Sequence, residues 1–255
     1  MIREIKKQAR LKLLNNYKLF SIPTILYVFS NFVMMSSLYA FYNQESLFVG
    51  NLFFETLFLC LFLFFKLFVL PISIFLLFKT SVKVVNEGLE NSKPIYPSSS
   101  FKDFGIITLI WLVPNILDAA NEIFDGVIEY SQISMNSTLL ISLSVLIIKA
   151  FLIYLEYKYF ACYYYYSLSK GTIKETLRFS FGIMKDRFFK YLLLTLSFIH
   201  WYLLGGILSM IFAKLFGEIV FIKFALQSIG CGVYFYLLPY QYIAYTLFIK
   251  NISKK

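Results

Sequence analysis

The sequence predicts an all-α fold: a polytopic transmembrane helical bundle of about six spans, with amphipathic interfacial helices on the cytoplasmic side. Three observations predict it. Of the 255 residues, 59% are hydrophobic and 20% aromatic, with charged residues held to 15% and a mean hydropathy of +0.71, a balance no water-facing surface accommodates. The apolar runs have helix length and lack the ten-residue alternation of a β-barrel. The net charge of +10 sits beside those runs as a topology signal, not on a soluble face that would engage nucleic acid.

Residues 1–18 carry Arg3, Lys6, Lys7, Arg10, Lys12 and Lys18 against Glu4 alone. At 100° per residue, Ile2, Ile5, Ala9 and Leu13 share one face, so a basic amphipathic helix lying on an anionic leaflet is expected. Residues 19–44 are uncharged and form the first span, with Pro23 near its start. No small-residue cleavage pattern precedes it, so the span is expected to be retained.

The second span, 52–78, holds 21 Leu, Ile, Val and Phe residues, interrupted by Glu55, Lys66 and Pro71. At roughly −0.3 to −0.6 kcal/mol each, the apolar residues outweigh about +3 kcal/mol for a central lysine. Gly88, Pro94, Pro97 and Ser98 to Ser100 mark a polar loop. The third span, 104–124, contains Pro114 and runs into Asp118, Glu122 and Asp125. It reads either as a full span or as a re-entrant segment, and the full span keeps the charge asymmetry intact. The fourth lies within 138–166, interrupted by Lys149, Glu156 and Lys158.

Thr172 and Glu175 form a T-x-x-E capping box opening a helix over 172–189. Its Ile173, Leu177, Phe181, Met184 and Phe188 recur on one face, as in a helix lying along the cytoplasmic surface or docked on other loops. The fifth span is 191–213, the sixth is 224–249, and 250–255 is a basic tail. Residues 1–18, 79–103, 158–190 and 250–255 together hold 20 lysines and arginines, whereas the opposite loops hold Lys214 and Lys223. Both ends are therefore expected in the cytoplasm.

Lys66, Lys149, Glu156 and His200 are the polar residues expected at membrane depth, where ionisable groups are costly enough to suggest function. For the two lysines, snorkelling to the interface competes with a cross-helix pair between Lys66 and Glu156 and with an ion or substrate path. His200, lacking any HExxH or cysteine pair nearby, reads as a helix-to-helix hydrogen bond before a proton relay. Asp118 to Glu129 read as a solvated outer loop. Cys60, Cys162 and Cys231 show no metal or redox spacing. The tyrosines from Tyr154 to Tyr166 and from Tyr234 to Tyr245 suggest an interfacial belt or a cavity lining. No catalytic residue, metal ligand or cofactor site stands out.

Ile183-Met184-Lys185, then Leu194-Thr195-Leu196-Ser197-Phe198-Ile199-His200-Trp201, and Pro239-Tyr240 before Phe248, form a pattern that resembles the uncharacterised bacterial integral membrane family called domain of unknown function 975. The opening Lys6-Lys7-x-Ala9 is similar as well, so the likeness covers roughly the first 20 and the last 85 residues. It implies a multi-pass plasma-membrane protein of Gram-positive-type bacteria, with no activity to carry over. The resulting expectation is a non-enzymatic protein whose partners are the bilayer, anionic lipid headgroups or another membrane protein. The alternative is a small-molecule or ion transporter or permease subunit.

Overall fold

The computed structural model describes residues 1–42, 52–87, 100–130, 135–216 and 232–253. Glu45, Gly88, Pro94, Pro97, Glu218, Lys223, Gly230, Cys231, Lys254, Lys255 and the first eight residues of the expected sixth span lie outside them, as do the side chains of Glu55, Asp125, Glu129 and Asn136. Within the described residues every element is helical.

Helix α1 (Ile2–Asn16) passes through a 3-10 turn (Tyr17–Phe20) into α2 (Ser21–Tyr42). The face carrying Ile5, Ala9 and Leu13 is buried, as periodicity predicts, but what covers it is α10 (Gly232–Ser253). The expected contact of that face with a leaflet is thereby corrected. Ala9, wholly buried, lets the two backbones approach closely, and Lys6 Nζ donates to the Ser197 carbonyl at 2.9 Å while resting over the Phe198 ring.

Next come α3 (Leu52–Phe64), a π-helical turn (Phe65–Val69) and α4 (Leu70–Glu87). Pro71 explains the wide turn: it has no N–H to donate, and its ring would press on the carbonyl of Leu67 in a regular helix. The Leu70 N–H instead reaches back five residues to the Phe65 carbonyl. Helix α5 (Phe101–Tyr130) runs unbroken through the buried Pro114, so the expected third span lies on one continuous helix.

Helix α6 (Met135–Ser169) ends where Lys170 turns left-handed, at φ 47°. The capping box forms as expected, Glu175 N–H to Thr172 Oγ1 at 3.3 Å and Thr172 N–H to Glu175 Oε2 at 2.8 Å, and opens α7 (Ile173–Ile183). That helix stops six residues short of the expected 189, at a turn in which Asp186 takes φ 58°. It folds back along α6: Ser180 Oγ donates to the Lys158 carbonyl at 2.7 Å, and Thr176 lies against Cys162. Then follow α8 (Phe188–Leu196) and α9 (Ile199–Phe216), separated by a turn at Ser197 and Phe198.

Among the described residues, three stretches are long and apolar enough to cross a bilayer: Thr56–Asn86, Phe101–Ile123 and Phe188–Leu208. At the centre stands α10, buried without interruption from Leu237 to Ile249 and packed against α1, α2, α4, α6 and α9. Paired contacts give helix directions. Phe78 meets Tyr242 and Asn86 meets Lys250, so α4 and α10 run parallel. Asp103 meets Tyr166 and Trp111 meets Tyr159, so α5 and α6 run antiparallel. Phe198 meets Tyr240 and Tyr202 lies against Tyr234, which sets α9 antiparallel to α10.

Candidate functional site

The π turn places Lys66 where a solvent-seeking side chain is not expected. The extra residue in that turn rotates the side chain toward α5, and Lys66 is 4% exposed. Its Nζ lies 2.5 Å from Asp118 Oδ2 and 2.9 Å from Glu122 Oε1. The two carboxylates are four residues apart and share one face of α5. Apolar packing closes one flank, formed by Met34, Phe62 and Ala119. Two of the three expectations for Lys66 are corrected: it does not snorkel, and its ion-pair partners come from α5 rather than being Glu156.

Glu156 belongs to the same region. It lies within electrostatic range of Lys66 and Asp118, and of Tyr27, Tyr163, Tyr191 and Tyr245. Its side chain keeps an exposed surface although protein crowds around it. Lys149 is exposed on α6. His200 is exposed on α9 with its ring 5.4 Å from that of Trp201, and it forms no hydrogen bond with the described residues, which corrects the expected helix-to-helix bond.

A hydroxyl and amide chain joins α8, α9 and α10. Tyr202 Oη donates to Gln241 Oε1 at 2.5 Å, Gln241 Nε2 donates to Tyr245 Oη at 2.6 Å, and Tyr245 Oη lies 3.2 Å from Thr195 Oγ1. Closer to α5, the Trp111 ring stacks on that of Tyr163 at 4.7 Å and 15°. Trp111 Nε1, Asn115 Nδ2 and Tyr163 Oη are buried with no hydrogen-bond partner among the described residues. Leaving such a group unpaired costs roughly 1–3 kcal/mol. This interior is therefore rich in both charge and unused hydrogen-bonding capacity.

No family model, curated protein or solved structure matches the chain. The reading of this site accordingly rests on its own geometry. Among the described residues, no three His, Cys, Asp or Glu side chains stand together as metal ligands would.

A second polar knot ties α5 to α6. Asp103 accepts from the Ser100 N–H at 3.1 Å, from Lys170 Nζ at 3.2 Å, and through Oδ1 from Tyr166 Oη at 3.2 Å.

The apolar face expected on the 172–189 helix is divided. Met184 is wholly buried, Leu177 and Phe188 are half-buried against the core, and Ile173 and Phe181 stay exposed, Phe181 edge-on to Tyr159. The face against α6 is Thr176 and Ser180, small residues that admit a close backbone approach. Most of the expected belt tyrosines are likewise internal: Tyr157, Tyr163, Tyr164, Tyr166, Tyr240, Tyr242 and Tyr245 are buried.

Sequence reasoning placed Asp118 and Glu122 in a solvated loop and so missed the partners of Lys66. A signal was present: Trp111, Asn115, Asp118 and Glu122 follow at spacings of four, three and four, the stripe of one helical face.

Proposed function

We propose that this is a non-enzymatic, multi-pass protein of the bacterial plasma membrane, crossing it about six times with both ends in the cytoplasm. Its interior binds a small cationic solute or ion, in the manner of a permease or permease subunit. One observation carries the solute reading: buried Lys66 bridges Asp118 and Glu122 while a third carboxylate, the exposed Glu156, lies within electrostatic range of the same group. Among the described residues, the ion pairs set one ammonium, Lys66, between two of these three carboxylates, and a small cation would add to that balance. Intramembrane ionisable groups of this kind mark substrate and ion paths.

The topology draws support from helix direction. Parallel α4 and α10, with α5 antiparallel to α6 and α9 antiparallel to α10, fit a chain that crosses alternately, and the lysine and arginine bias fits cytoplasmic ends. The resemblance to the domain of unknown function 975 supports the plasma membrane as its location.

The test uses purified full-length protein in nanodiscs and proteoliposomes with a panel of alkali cations, choline, polyamines and cationic amino acids. At least one member should raise the melting temperature of the wild type, as binding to the folded state requires, and should be taken up. Glu156→Gln should remove both effects. A panel without any stabilising member, or a Glu156→Gln protein responding like the wild type, overturns the reading. A second reading, action through lipid or partner contact, is favoured by the exposed basic and apolar face of α1.

A further inference from the structure

Helix α1 has two faces with different fates. Ile5, Ala9 and Leu13 are buried against α10, and the opposite face stays open. On that open face Leu11 and Leu14 are 58% and 66% exposed, and Arg3, Lys7, Arg10 and Lys18 are exposed beside them. At 100° per residue Arg3, Lys7, Arg10, Leu11 and Leu14 fall within about 100° of arc on the side away from Ala9, and Lys18 follows in the 3-10 turn. The stripe continues past the 3-10 turn into Ile22, Ile25 and Phe29 of α2, all about half exposed. Lys7, Leu11, Leu14, Lys18, Ile22, Ile25 and Phe29 thus follow at spacings of three and four, cations at the α1 end and purely apolar side chains along α2.

We propose that this face of α1 is a binding surface for anionic phospholipid headgroups of the cytoplasmic leaflet. Leu11 and Leu14 sink into the acyl boundary, and Arg3, Lys7, Arg10 and Lys18 hold lipid phosphates. Charge complementarity selects the occupant. None of the four cations forms an ion pair with a described residue, and the single acid of the helix, Glu4, is engaged by Gln8. Leucines in that position require an acyl phase beside the charge, which free phosphate in water does not offer. Continuity with the apolar stripe of α2 places the cations where the chain enters hydrocarbon. The surface is independent of the Lys66 region.

The experiment measures lipid preference of the full chain. Protein reconstituted in nanodiscs of mixed phosphatidylglycerol and phosphatidylcholine is extracted gently, and the retained lipids are counted by native mass spectrometry. The wild type should retain phosphatidylglycerol over phosphatidylcholine. Lys7→Gln, Arg10→Gln and Lys18→Gln should each lower that preference about fivefold, the equivalent of roughly 1 kcal/mol per basic residue near the surface. Lys7→Arg and Lys18→Arg should keep it. Leu11→Ser with Leu14→Ser should weaken retention of both lipids, and inorganic phosphate at millimolar concentration should not displace phosphatidylglycerol. Should a charge variant fail to fold, salt titration of the wild type supplies the same reading, since screening must erode the preference. Equal retention of the two lipids by the wild type, charge variants that keep the preference, or displacement by inorganic phosphate would overturn the proposal.

Discussion

Replacing Lys66 with Met tests whether the buried ammonium is an obligatory partner of α5. The substitution keeps much of the side-chain length and removes the charge. Asp118 and Glu122, one turn apart and 34% and 28% exposed, would then face each other without a counter-charge beside the apolar cluster of Met34, Phe62 and Ala119. The carboxylates left behind are partly exposed, so the about 3–5 kcal/mol for breaking a fully buried pair is discounted to about 2–3 kcal/mol. For a chain of this size each kcal/mol moves the melting temperature by about 2–4 °C, so a fall of about 4–12 °C is expected. Cys162, which is wholly buried, supplies the assay. In a Cys60→Ser, Cys231→Ser background, a thiol-reactive fluorophore reports the temperature at which Cys162 becomes accessible. Converting all three partners, Lys66→Met with Asp118→Asn and Glu122→Gln, should recover most of the loss, because an intact buried pair contributes little net stability compared with the penalty of an orphaned charge. A loss below about 1 kcal/mol for Lys66→Met alone, the range of a solvent-exposed ion pair, would refute the argument.

Other outcomes follow from single contacts. Asp103→Ala removes the acceptor shared by the Ser100 N–H, Lys170 and the buried Tyr166 hydroxyl and should cost about 1–3 kcal/mol, measured as a fall in melting temperature. At Asp186, where φ is 58°, Asp186→Gly should be tolerated and Asp186→Val should lose about 1–2 kcal/mol, since β-branched side chains clash in the left-handed region. Ala9→Leu should destabilise by about 1–3 kcal/mol by forcing α1 away from α10, and protease cleavage within residues 1–16 should speed up accordingly.

Much of this molecule was legible in one dimension. Apolar composition and run length dictated helices. The T-x-x-E spacing located the start of α7, and periodicity identified the buried stripe of α1 from Ile5, Ala9 and Leu13. Each of these depends on neighbours close along the chain, where the 3.6-residue repeat converts sequence separation directly into geometry. The covering of each face, by contrast, was decided by tertiary structure. Hydropathy responds alike to lipid and to an apolar helix, so it could not tell a leaflet from α10 beneath Ala9, nor a membrane interface from α6 beside Thr176 and Ser180. Lys66 met Asp118 and Glu122 because a π turn beside Pro71 rotates it and because α5 is the neighbour on that side. Ion-pair partners separated by more than 50 positions depend on helix order and rotation, and neither is encoded in the spacing of residues along a single helix.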